Sequence, residues 1–181
     1  MNKIKTDFVI IGAGMLGLSM ARNIKKINPG SSILILEKED FIGQHSSGRN
    51  SGVLHAGIYY KPNSLKAKVC VEGAKRLKEW CANHKLKILN CGKIITTQSQ
   101  ELDPQIDLLM KRGKENGAKV ELIDKKELKL LCSEARSASG RAIWSPDTSV
   151  VNPKKILKVL LEELLGKGIK IIVKSKVLKR N

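Results

Sequence analysis

The stretch FVIIGAGMLG, residues 8–17, leaves few folds open to the chain that carries it. Phe8 to Ile11 is a continuous apolar run ending at a glycine, the composition of a strand buried on both faces of a parallel sheet. From Met15 to Ile27 the apolar residues Leu16, Leu18, Met20, Ala21, Ile24 and Ile27 recur at helical spacing, until Asn28-Pro29-Gly30 stops the helix. Ile33 to Leu36 is a second apolar run, closed by Glu37. Strand, helix and strand in this order make a βαβ unit, so the expected fold class is α/β with a doubly wound, Rossmann-like sheet.

Gly12-Ala13-Gly14-Met15-Leu16-Gly17 matches GxGxxG at the place where the first strand ends and the helix opens. Gly12 permits the tight turn, Gly14 lets the backbone approach a diphosphate without a Cβ in the way, and Gly17 lets helix and strand pack closely. The helix N-terminus directs free N–H donors and about half a positive charge at the same point. Glu37 stands at the end of the second strand, where a carboxylate can accept hydrogen bonds from ribose hydroxyls. Together these residues predict a dinucleotide site with an unphosphorylated ribose. Lys38 is a further candidate cofactor contact, and its charge weakens the case against a 2′-phosphate.

A nicotinamide-binding sheet would resume soon after Glu37 with another helix and strand. Instead, residues 41–63 are polar and glycine-spaced, including SSGRNSGVLHAGIYY at 46–60. Bare backbone of this kind suits a large planar cofactor, because N–H groups and close glycine contacts can reach phosphates, ribityl hydroxyls and a ring edge. That favours FAD over NAD. Ser46, Ser47, Ser51 and Gly52 are the candidate contacts to it. Arg49, Tyr59, Tyr60 and Lys66 are candidates for holding substrate carboxylates or flavin oxygens, since cationic and phenolic donors make charge-assisted bonds; the plain alternative for each is a surface or packing role.

Further along, helices are expected over 65–84, 102–116, 125–132 and 153–165, and strands over 86–97, 120–123 and 169–173. Leu65, Val69, Ala74, Leu77 and Trp80 are expected on the inner side of the first of these helices, and Cys70 and Cys81 on one of its faces. Residues 142–151 read as an irregular sheet edge. Three regions follow: 1–85 as the FAD-binding βαβ unit with flavin loop and following helix, 86–150 as part of an α+β substrate domain, and 151–181 as a return to the FAD-binding domain. The sheet so counted is incomplete, since a full doubly wound sheet has about five or six strands.

Thirty-four Lys and Arg against 17 Asp and Glu give a net charge of +17. The lysines are scattered and no basic-aromatic stripe or nucleic-acid motif accompanies them, so a solvated basic surface is expected, with no nucleic-acid partner. The same charge suits peripheral contact with an anionic membrane. Four cysteines without metal-ligand spacing read as reduced thiols of a cytoplasmic protein. The N-terminal apolar run is too short for a signal peptide or a membrane span.

GAGMLG, LEKE, HSSGRNSGVLHAGIYYKPNSLKAKVC and NCGKI together resemble the N-terminal part of FAD-dependent oxidoreductases of the D-amino-acid-oxidase type, nearest to the L-2-hydroxyglutarate dehydrogenase or oxidase family. The resemblance implies FAD as cofactor and oxidation of a 2-hydroxy acid, L-2-hydroxyglutarate to 2-oxoglutarate, with His55 near the isoalloxazine as the base that takes the hydroxyl proton. A covalent tether to the flavin is a competing role for His55, and a hydrogen bond to loop backbone is the plain one. Oxidation of an amine, an amino acid or glycerol 3-phosphate on the same scaffold, or an inactive fragment, are the other readings. Family members run to about twice this length, which implies a truncated or split member whose other half a second polypeptide would supply. Asn63 stands where the family pattern has glycine; Asn tolerates a positive φ better than most residues.

Overall fold

A computed structural model describes residues 3–179. The chain forms two compact units, one made of the residues up to Ser51 with those from Asn152 onward, the other of Gly52–Val151. The first boundary therefore falls well before residue 85. The reason is pairing: Val53–Leu54 is a strand of the second unit, and the helix that follows is tied there by the Lys78 ammonium, which donates to the Asp147 carbonyl at 2.7 Å.

In the first unit, β1 (Phe8–Ile11), α1 (Met15–Ile27) and β2 (Ile33–Leu36) form the expected βαβ unit. After the second unit the chain returns as α5 (Pro153–Gly166) and β9 (Lys170–Ile172). The sheet is parallel, in order β1-β2-β9, with Phe8 opposite Ile33 and Leu34 opposite Lys170. β2 is the buried strand: Ile33, Leu34 and Ile35 are all in the core. Helix α1 buries Leu18 and Ala21, and α5 buries Ile156, Leu157, Leu160 and Leu164, the stripe that helical periodicity produces. The Arg22 Nε of α1 donates to both Glu163 oxygens of α5 at 2.9 and 3.0 Å, and Lys167 Nζ reaches Glu163 at 2.5 Å. β1 departs from expectation. Val9 is 54% and Ile11 69% exposed: the two share one face of the sheet, which the described residues leave uncovered at β1, an edge strand paired only with β2 among them.

The second unit holds β3 (Val53–Leu54), α2 (Leu65–Asn83), β4 (Ile88–Leu89), β5 (Lys93–Thr96), α3 (Asp103–Glu115), β6 (Glu121–Ile123), α4 (Lys125–Leu131), β7 (Ala142–Ser145) and β8 (Ser149–Val151). Two antiparallel sheets result, in orders β3-β8-β4 and β5-β7-β6. Residues 142–151 are thus no edge: β7 and β8 are the central strands of the two sheets. Their polar residues conceal this in the sequence, yet these are buried and satisfied. Ser145 Oγ lies 3.0 Å from Thr148 Oγ1, and Ser149 Oγ donates to Asn90 Oδ1 at 2.8 Å. The expected 86–97 strand is broken at Asn90-Cys91-Gly92, since its two halves join different sheets.

Ser64 caps α2, its hydroxyl accepting from the Ala67 N–H at 3.2 Å. The buried side of α2 runs through Ala67 and Cys81, with Cys70 half-buried. Of the residues expected on the inner side, Ala74, Leu77 and Trp80 are half-buried, whereas Leu65 and Val69 face outward, because the buried stripe runs through Ala67 and Cys81 instead. Ile58, Ile106, Val120 and Ile143 form the core beneath β7, and Asn63 takes a φ of 63° in the turn before α2. No helix among the described residues is long and apolar enough to cross a membrane.

Candidate functional site

In the first unit the glycine motif forms a strand-to-helix turn. Gly12 has a φ of 97°, in the left-handed region, and its N–H donates to the Leu36 carbonyl at 2.8 Å. At Gly17 an added Cβ would stand 2.0 Å from the Gly12 carbonyl oxygen, so only glycine lets the first turn of α1 close against β1. Gly14 occupies the N-cap of α1 without a capping side chain of its own. The hydroxyl of Ser47 takes that place, accepting from the Met15 N–H at 2.9 Å. A Cβ on Gly14 would lie 2.9 Å from the same Ser47 oxygen.

Glu37 is 7% exposed and accepts from the Ala13 N–H at 2.7 Å through Oε2 and from the Glu39 N–H at 3.0 Å through Oε1. A buried carboxylate so held keeps lone pairs available for further donors. Turn, helix terminus, Ser47 hydroxyl and Glu37 carboxylate therefore converge in one unit, and their chemistry fits the diphosphate and ribose of a dinucleotide. Lys38 instead faces Glu39 at 3.4 Å, and His45 Nε2 lies 2.9 Å from the same carboxylate, whose pKa is lowered first by the His45 hydrogen bond and then by Lys38. Ser46 and Ser51 are exposed. Arg49 lines a cavity of about 710 Å³ with Lys154, Leu157 and Lys158 of α5, apart from the turn residues.

In the second unit, His55 follows β3 on a loop that is pinned at each turn. The Cys70 thiol donates to the His55 carbonyl at 3.3 Å, Asn116 Nδ2 donates to the carbonyls of Gly57 and Tyr60 at 2.9 Å each, and Arg112 Nη1 donates to the Tyr59 carbonyl at 3.2 Å. Gly52, buried with a φ of 68°, receives the Val151 N–H at 2.9 Å and starts the loop. The half-buried imidazole of His55 hydrogen-bonds no group among the described residues and meets Tyr59 edge-on, ring centroids 6.1 Å apart. Burial, and secondarily the charge of Lys93, hold its pKa below the ordinary imidazole value. It is thereby neutral near neutrality and able to accept a proton. Tyr60 is half-buried, and Lys66 is exposed on α2.

Lys93 is the residue that sequence reasoning missed. Its Nζ lies 4.6 Å from the centroid of the Tyr59 ring. It begins β5 directly after Gly92, where φ is 67° and a Cβ would meet Trp144 Cη2 at 1.9 Å, so the indole of β7 fixes the start of the strand. The signal in the sequence was its place in NCGKI, one of the stretches that carry the family resemblance, at the opening of β5. Among the described residues no group of His, Cys, Asp and Glu is placed to hold a metal ion.

Among curated proteins, the chain is 40% identical over 177 residues to a mitochondrial L-2-hydroxyglutarate dehydrogenase of Dictyostelium discoideum, covering 96% of this chain and 40% of that protein. To the human protein of the same name it is 37% identical over 172 residues, 94% of this chain and 37% of that one. The chain thus spans about two fifths of the length of these relatives. Among solved structures, an L-α-glycerophosphate oxidase of Mycoplasma pneumoniae with FAD bound aligns with a TM-score of 0.84 at 21% identity, covering 97% of this chain and 46% of that one. A glycine oxidase of Geobacillus kaustophilus aligns at 0.83 and 17%, covering 95% and 47%. These likenesses agree with the α/β architecture derived above. The model of the FAD dependent oxidoreductase (DAO) family matches residues 7–181, nearly the whole chain, and the glycine turn with its buried glutamate lies inside that match: the chain belongs to this family of FAD-dependent oxidoreductases.

Proposed function

We propose that the chain is the cofactor-binding part, with some of the substrate-binding part, of an enzyme that oxidises L-2-hydroxyglutarate to 2-oxoglutarate with FAD. The observation that carries this reading is the 37–40% identity to L-2-hydroxyglutarate dehydrogenases across nearly the whole chain. Gly12, Gly14, Gly17 and Ser47 would hold the diphosphate, Glu37 the adenosine ribose, and Lys38, Ser46, Ser51 and Gly52 lie on the segments that follow. FAD supplies the acceptor for the hydride equivalent leaving the substrate's α-carbon. His55 takes the proton of the 2-hydroxyl, a role to which its unpaired, desolvated imidazole is suited. Arg49, Tyr59, Tyr60 and Lys66 remain candidates for the substrate's carboxylates, with Tyr59 favoured by its contact with His55. The competing substrates, an amine or amino acid or glycerol 3-phosphate, have only a likeness of fold behind them.

An intracellular setting suits the four free cysteines, Cys70, Cys81, Cys91 and Cys132, and the relatives above are named as mitochondrial. Contact with an anionic membrane rests on the charge of +17. A polypeptide segment carrying the rest of the relatives' length would be the natural cover for the exposed side of β1. The test is direct. FAD added to the purified chain, alone or with that remaining segment supplied, should lose fluorescence on binding. L-2-hydroxyglutarate added without oxygen should then bleach its visible absorbance, and the D-enantiomer should not. Failure to bind flavin, or bleaching by glycerol 3-phosphate or an amino acid in place of the hydroxy acid, overturns the reading.

A further inference from the structure

We infer that Lys93, set against Tyr59 and His55, is a carboxylate seat, the cation that recognises an acidic group of the substrate beside the candidate base. The inference rests on the proposed oxidation of a dicarboxylic 2-hydroxy acid and adds a residue to it. Lys93 is half-buried, yet among the described residues no carboxylate pairs with it; its ammonium faces the Tyr59 ring at 4.6 Å instead. Partly desolvated lysines ordinarily acquire an anionic partner, because a ring face returns only part of the lost hydration. The missing partner would be a ligand.

The surroundings keep this arrangement in place. Gly92 and Trp144 fix the backbone of Lys93, whose cross-strand neighbour on β7 is Ser145. Arg112 and Asn116 of α3 fix the backbone of the Tyr59 loop, and Cys70 of α2 that of His55. The charged and titratable groups around the imidazole are thus Lys93 from β5, Tyr59 from its own loop and Cys70 from α2, whose thiol is kept protonated by burial. Among the described residues no acid contributes to the shift of the imidazole. A carboxylate arriving at Lys93 would cancel the one cationic influence on His55 and favour the imidazolium, so that substrate binding itself strengthens the base.

Glutarate, a redox-inert dicarboxylate, is the probe, with glutaramide as its uncharged counterpart, and NMR of the His55 ring and the Lys93 ammonium in the full 181-residue chain is the readout. Glutarate should shift both signals and raise the His55 pKa, while glutaramide should do neither. Lys93→Met should weaken glutarate about ten- to a hundredfold, the range expected for one charge-assisted hydrogen bond, and raise the His55 pKa without ligand; Lys93→Arg should retain most of the binding. The wild-type titration alone decides the matter if the Met variant does not fold. Absence of glutarate binding to the wild-type chain, equal binding by Lys93→Met, or a His55 pKa indifferent to glutarate each overturns the inference. Flavin reduction separates it from the functional reading: bleaching by L-2-hydroxyglutarate with an unaltered Lys93→Met profile sinks the seat alone, and a Lys93-dependent glutarate site without such bleaching sinks the substrate assignment alone.

Discussion

An added methyl at Gly17 would stand 2.0 Å from the Gly12 carbonyl oxygen and 3.3 Å from Ile10 Cγ2, neither of which can retreat without opening the turn. Gly17→Ala should therefore destabilise the first unit by about 1–3 kcal/mol, as overpacking does, and abolish flavin binding; urea unfolding and flavin fluorescence check the two effects. His55 gives a prediction in pH. Its pKa is depressed by burial and then by Lys93, so the acid limb of kcat/KM, which reports the ligand-free enzyme, should lie below about 6.5, the ordinary imidazole value. The folding contribution runs the same way: the neutral imidazole is favoured in the folded chain, so stability is held above the ordinary value and lost as pH falls through the lowered one. The glycine turn and the place of Glu37 were legible in the sequence because one βαβ unit of consecutive segments sets the end of β2 beside the turn that follows β1. Lys93 was not, since its meeting with Tyr59 and His55 depends on strand pairings that no local pattern encodes.

Helix α1 and helix α5 are joined by the Glu163 carboxylate. Burial raises its pKa, but hydrogen bonds from Lys167 and Arg22 outweigh that and leave it below the ordinary glutamate range. Stability from this carboxylate is present above the ordinary glutamate value and lost as pH falls through the lowered one. Both cationic partners are more than 40% exposed, so the contribution is modest. Glu163→Gln should cost about 1 kcal/mol near neutrality and nothing once acid has protonated the wild-type carboxylate, a convergence that thermal melts against pH would reveal. Boundaries of β1, α1 and β2 agree with the reading from apolar runs and the Asn28-Pro29-Gly30 stop, because a continuous run between breakers admits one solution. The 86–97 and 142–151 segments misled for the opposite reason: buried serines and threonines, satisfied by one another, are indistinguishable in sequence from solvent-facing ones.

The parallel sheet is assembled from both flanks of an insertion. β1 and β2 are complete by Leu36, yet the other neighbour of β2 is β9, beginning at Lys170. All pairings of the second unit lie between Val53 and Val151. Long-range parallel pairing closes slowly compared with nearer contacts, so refolding should protect the amides that pair β5, β6 and β7 before those that join β2 to β9, as pulsed hydrogen exchange would detect; simultaneous protection would refute the order. On the ribosome the same separation becomes a delay. Ile33, Leu34 and Ile35 emerge early and stay without their second neighbour until more than a hundred further residues have been made. At about 5–20 residues per second the most apolar strand of the molecule waits for roughly 7 to 27 seconds, which makes the nascent chain, rather than the finished protein, the form that calls for a chaperone.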